Sequence, residues 1–428
     1  MFIQSLPITQ SSFQMLWCNW LLAVLLTLAS LLSNALGAAW ALFMLVGLWQ
    51  LRQAWAQNKN HPVPSFVGIW VFAALAGFLV KAAVTFFWHD PWAERHGEIR
   101  ILLGAIATYG AYGYWRARPV QRQTSLVWVS HALSLAALLG LVWVAWQGRA
   151  RLTSHPIPWA GVMAMFSCWL LALGLDRRFS SAHRRWWLMG SGLAVLAVLA
   201  SQSRGFFVVV LWWSGVMATQ GWRSLRNSSQ PWFKRLSIMV ASATLLLTLL
   251  HTPMLERPIH ALEQAVSEAQ YALRVPTEGS NSSVGARLYM WQRSVQAIVQ
   301  SPWLGHGHDG RKHMLKQWAG DANSEEIQRL GHVHNEYLHQ LIDHGLPGLL
   351  SQIAFLFGLL YTTLQLRRIG SGTAAMALGG ILLMYAVGSL SNVNFAHNYF
   401  SAGLSLMTGL SIGLLGPPRS PERFSNQH

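Results

Sequence analysis

The chain has 428 residues, 53% of them hydrophobic and only 11% charged, and it carries 23 tryptophans. That composition excludes an ordinary soluble domain and predicts an all-α, polytopic membrane protein. A formal charge of +16 would suit a nucleic-acid partner, but the basic residues are spread over loops between apolar runs rather than gathered in one patch, so no nucleic acid is expected.

In chain order, the opening MFIQSLPITQ has no basic n-region and no small-residue cleavage site after it, so a removable signal peptide is not expected. Apolar segments then recur near 15–33, 35–51, 65–89, 99–115, 125–147, 157–175, 186–201, 205–221, 236–251, 346–366, 374–391 and 399–416. Each is long enough to cross a hydrocarbon core of roughly 30 Å, giving about twelve transmembrane helices. Nine fall within residues 1–251 and three within 346–416, with a cytoplasmic tail at 417–428. Helices are the default in lipid because each satisfies its own backbone, and no strand-like alternation is visible. Cys18 and Cys168 lie inside apolar spans and suggest neither a disulfide nor a metal site.

With a cytoplasmic N-terminus, the inner loops gather Arg116, Arg118, Arg122, Arg177, Arg178, Arg184 and Arg185. The short outer loops hold only Arg95, Arg100, Arg149, Arg151 and Arg204. This is the positive-inside bias of a multi-pass protein of a bacterial inner membrane.

Residues 252–345 break the rhythm of short loops and form one large polar, periplasmic loop. Within it, 259–273 and 283–300 show helical spacing, with Leu288, Trp291, Val295 and Ile298 on one face. SPWLGHGHDG, 301–310, predicts a Pro- and Gly-rich turn. His306, His308, Asp309 and His313 are permissive for zinc, but their spacing matches no hydrolytic motif, so the segment is expected to line a cavity without metal.

HVHNEYLHQLIDHGLPG, 332–348, carries the most chemistry. Asn335 to His344 predicts a short helix, Gly345 its left-handed end, and Pro347 the first turn of the next span. His334 then sits at a helix N-terminus, where partial positive charge keeps an imidazole neutral and able to accept a proton. A polar cap at a membrane interface fits the same spacing. Arg204, in SQSRGF between two spans, is a functional candidate or an arginine snorkelling to lipid phosphate. Arg287 opens the 283–300 helix, where a cation opposes the helix dipole. Lys81 lies well within an apolar span, in the outer half, where it could snorkel or reach a phosphate.

His334, Asn335, nine further residues, Gly345, two more and Gly348 resemble the H-[NSQ]-x9-G-x-x-G signature of O-antigen ligases. Their superfamily also holds O-antigen polymerases and bacterial protein O-oligosaccharyltransferases. ARLYMW is similar to the family's R-x3-W pattern, through Arg287 and Trp291, and SPWLGHG to its P-x2-G-x-G pattern. The resemblance implies an inverting glycosyltransferase without cofactor, with an undecaprenyl-pyrophosphate-linked glycan as donor and lipid A core as acceptor, working among membrane lipids. It further implies His334 as general base and a cradle for the donor pyrophosphate made by Arg204 and Arg287, to which Lys81 is added.

Overall fold

The computed structural model describes residues 10–56, 64–92, 96–149, 152, 154–226 and 253–417. The predicted span at 236–251, Arg95, Arg151 and the tail beyond 417 lie outside them. Among the described residues the chain is helical, without strands.

A first block comprises α1 (Gln10–Leu28), α2 (Ser33–Ala56), α3 (Ser65–Trp88), α4 (His96–Arg116), α5 (Pro119–Gln147), α6 (Pro156–Gly174), α7 (Ser181–Ala200) and α8 (Val208–Arg226). The polar segment folds as α9 (Pro253–Arg274), α10 (Ser283–Gln300) and α11 (Gly307–Ala322) with short turns between them. α12 (Glu336–Arg368), α13 (Gly372–Gly388) and α14 (Asn398–Leu415) complete the chain. Every predicted span on described residues overlaps one of these helices. Five of them, α2, α3, α5, α6 and α12, are long and apolar enough to cross a membrane, which marks a membrane protein.

α6 and α14 form the centre of the bundle, buried on all sides from Ile157 to Gly174 and from Tyr399 to Leu415. Both are rich in Ala, Gly and Ser, small residues that let helices approach closely where lipid offers no hydrophobic drive. Ser405 of α14 is satisfied across helices: it donates to the Arg100 carbonyl at 2.9 Å and accepts from Trp40 at 3.0 Å. α12 runs along α3, and α14 along α4.

The polar segment has its own core, built from Ala286, Tyr289, Met290, Leu315, Trp318, Ile327, Val333 and Ile342. Ser282 caps α10 by accepting from the Gly285 amide. The region 301–310 departs from the predicted turn. Only its first part is irregular, and α11 begins at Gly307 because Asp90, from the end of α3, accepts from the His308 amide at 2.9 Å. That carboxylate satisfies an N-terminal amide and offsets the positive end of the helix dipole.

Candidate functional site

Where the polar segment rejoins the bundle, two motif stretches lock onto each other. The His306 amide donates to the Ile342 carbonyl at 2.7 Å, and the Leu346 amide to the Pro302 carbonyl at 2.9 Å. Between these bonds Gly345 breaks α12 with φ 61° and ψ −151°. This is a positive-φ extended conformation open essentially to glycine, rather than the left-handed helical one expected from the sequence. A Cβ at Gly345 would also lie 2.5 Å from the carbonyl group of Trp303, and one at Gly348 would lie 2.5 Å from the Gln340 carbonyl. The two glycines of the motif therefore serve a sharp bend and a close approach.

The bend fixes the segment before it. Asn335 caps α12, its side-chain oxygen accepting from the Leu338 amide at 3.1 Å. Glu336, fully buried, donates its amide to the Ser389 carbonyl, and its carboxylate accepts from Phe395 N at 3.0 Å and Gln340 Nε2 at 2.7 Å. The start of α12 is thus tied to the turn between α13 and α14. Trp291 of α10 donates to the Val333 carbonyl at 2.8 Å. Held from both sides, His334 adopts φ 53°, a strained conformation for a non-glycine residue of the kind that collects at working sites.

His334 is 5% exposed. Burial first, then the neighbouring His332, Arg287, His155 and His397, push its imidazole down from the usual value near 6.5 to about 2. It is neutral at any physiological pH. Arg287, on the helix that carries Trp291, is partly buried, and its guanidinium is destabilised by burial and then by the charges of Arg204 and Arg149, with Glu268 and Glu326 the acidic groups acting on it. Arg204 opens a short 3-10 turn between α7 and α8. The preceding Ser203 donates to the Pro156 carbonyl at 3.0 Å, which brings this turn against the start of α6 and His155.

The structure therefore brings His334, Arg287 and Arg204 into one electrostatic neighbourhood and adds Arg149, His155, His332 and His397, which the sequence did not single out. Imidazole rings link these elements: His332 and His334 lie 4.3 Å apart between centroids, His332 and His397 5.8 Å, and His397 and His155 5.6 Å. No local pattern could have found them, since 155, 332 and 397 belong to three separate turns.

Lys81 is placed differently from the phosphate contact expected of it. Its ammonium is buried in an ion pair with Glu98, and its charge acts on Glu336, beneath the start of α12. Removing one partner of such a buried pair costs about 3–5 kcal/mol, so the pair is a support for the loop. Arg311 and Asp343 form a second buried pair at 2.6 Å, in which Arg311 also donates to the Gly331 carbonyl and to His308 Nδ1 at 3.0 Å. His306 Nε2 donates to the Ala297 carbonyl at 2.9 Å. His306 and His308 of GHGHDGRKH thus take part in packing the fold, and among the described residues no group of three His, Cys, Asp or Glu side chains is placed to hold a metal ion.

A buried, neutral imidazole facing Arg287, which is itself faced by Arg204 and Arg149, is an arrangement chemically able to accept a proton beside a bound anion. Residues 189–353, which include Arg204, Arg287 and the whole His334 to Gly348 motif, match the O-antigen ligase family. Over that region the chain is similar to O-antigen ligases. It is also similar to an uncharacterized protein of Haemophilus influenzae, 35% identical over 74 residues. That alignment spans 17% of this chain and 18% of the relative.

Proposed function

We propose that the chain transfers an O-antigen glycan from undecaprenyl pyrophosphate to a sugar hydroxyl of the lipid A core, at the periplasmic face of the bacterial inner membrane. The observation that supports this reading most is that a buried, neutral His334 faces Arg287, which in turn is faced by Arg204 and Arg149. Guanidinium groups that act on one another favour an added anion, and a diphosphate would supply one through charge-assisted, forked hydrogen bonds.

The acceptor hydroxyl attacks the anomeric carbon from the face opposite the diphosphate and inverts it. The new C–O bond forms as the C–O bond to phosphate breaks. Undecaprenyl pyrophosphate leaves with the bonding electron pair, and the hydroxyl proton passes to the His334 imidazole. The arginines offset the charge that grows on the leaving group. Burial is the main cause that holds His334 neutral, and a bound diphosphate would offset the smaller contribution of Arg287, raising the proton affinity of the imidazole when it is needed. A leaving group that departs as a stable anion needs neither protonation nor a metal.

The test is transfer by purified protein given lipid-linked donor and either lipid A core or a second lipid-linked chain. Glycan on lipid A core supports the ligase reading, and His334→Ala lowers transfer roughly 100-fold or more, the scale of a lost general base. Elongation of the second chain instead makes the protein a polymerase. Glycan moved across the membrane with no bond formed makes it a transporter, and full transfer by His334→Ala removes the base.

A further inference from the structure

The four imidazoles differ steadily in their contact with solvent. His334 is buried, His332 and His397 are half-buried, and His155, at the cap of α6, is exposed. Their rings follow one another at 4.3, 5.8 and 5.6 Å, with His397 and His155 stacked at 18°. Among the described residues Nδ1 of His334, Nδ1 of His332 and Nε2 of His397 are buried without a protein hydrogen-bond partner. These nitrogens hold no structural bond, unlike His306, whose ring nitrogen is spent on a carbonyl.

The proposed reaction leaves a proton on His334, which is buried and faced by Arg287. Once the diphosphate departs, burial disfavours an imidazolium there, Arg287 repels it, and burial closes the direct way to solvent. We propose that His332, His397 and His155 form a proton exit, passing the acceptor's proton outward from His334 so that the base is restored for the next turnover. The proton moves as a bond change at each ring: one nitrogen accepts, the other releases, and the imidazole returns to neutral. Spacings of 5.6 to 5.8 Å are within the span of one bridging water between ring edges.

The electrostatics run the same way. Proton affinity rises outward, from about 2 at His334 through about 3 at His332 to about 4 at His397. The groups facing each ring are His332, Arg287, His155 and His397 for His334; His397, Arg311, His155 and Arg287 for His332; and His155 and His96 for His397. His155 is faced by Arg149 and Arg287. A proton leaving His334 therefore moves, as far as His397, toward rings on which burial and neighbouring charge disfavour it less. These three histidines act through His334 and not on the substrate, so they are positioning and proton-carrying groups.

The proposal rests on His334 being the base, and the experiment separates the two. Single-turnover and steady-state transfer are measured for wild type, His332→Gln and His397→Gln in H2O and D2O, with and without added imidazole buffer. The exit predicts that each variant keeps its first turnover and its donor KM, loses roughly 10-fold or more in steady-state kcat, gains a larger solvent isotope effect, and is rescued by imidazole in proportion to its concentration. A raised donor KM with unchanged isotope effect and no rescue makes the rings a wall of the donor site and overturns the exit. Should His334→Ala transfer normally, the reading beneath it fails instead. Two variants on different turns guard against misfolding of either.

Discussion

The indole N–H of Trp291 meets the carbonyl oxygen of Val333 at 2.8 Å, so the helix that presents Arg287 also grips the residue before His334. The R-x3-W spacing places the arginine and the tryptophan about one turn apart on α10. The proposed phosphate contact and the segment that carries the proposed base are thereby tied to one helix.

Trp291→Phe tests that coupling. The ring keeps its packing, but the Val333 carbonyl loses its donor, and a segment with a positive φ at His334 loses a restraint. Transfer should fall roughly 10- to 100-fold in kcat with donor binding near wild type, the effect of a misplaced catalytic group. Stability should drop by about 1–3 kcal/mol, the penalty for an unpaired buried carbonyl. Wild-type kcat in Trp291→Phe would show that His334 is held by other means.

The parts of this site that the sequence exposes are those fixed by local spacing. Apolar runs read as helices, the interval from His334 to Gly348 read as a capped short helix, a bend and a new helix, and Arg287 read as heading the helix that contains Trp291. What it hides is fixed by packing between distant segments. Asp90 caps α11 from the end of α3, which is why GHGHDGRKH resembled a loose turn. Glu98 answers Lys81 from the next helix, which is why Lys81 resembled a free cation. His155 and His397 meet only because two turns of the bundle face the loop. Even at Gly345 the sequence predicted a break but not its ψ, since the Pro302 carbonyl that takes the Leu346 amide comes from 301–306.

The arginines make a graded prediction. A guanidinium can fork two hydrogen bonds onto phosphate oxygens, and an ammonium cannot. Arg204→Lys should therefore recover little of the activity lost in Arg204→Ala, and Arg287→Ala should weaken donor binding more than acceptor binding. Arg149, whose charge reaches Arg287 and His155, should behave as a third member, with Arg149→Ala raising donor KM roughly 10-fold. Unaltered donor binding with a raised acceptor KM in any of the three would reassign that residue.

Metal removal separates two roles for the histidines. In the proposed mechanism the arginines supply the charge that a divalent ion would bring, so transfer should persist in excess EDTA. His308→Ala should be milder than His334→Ala, because His308 accepts from Arg311 within a supporting network. Activity lost on chelation and restored by zinc or magnesium would turn His334 from base to ligand.

The histidine array also fixes how stability responds to acid. His332, His334 and His397 are held in the native protein at about 3, 2 and 4, whereas in the unfolded chain they titrate near 6.5. Below pH ~6.5 the unfolded chain therefore binds protons that the native protein refuses. Their stabilising effect is complete above that pH and is lost progressively as pH falls toward the native values. Thermal unfolding of the detergent-solubilised protein should accordingly shift to lower temperature between pH 7.5 and 5, a window above most carboxylate titration. Replacing His332 and His397 together by Gln should make that decline shallower, because two of the three groups no longer titrate. A melting temperature unchanged across the window, or a double variant that declines as steeply as wild type, would mean that the imidazoles are not held neutral by their burial and their basic neighbours.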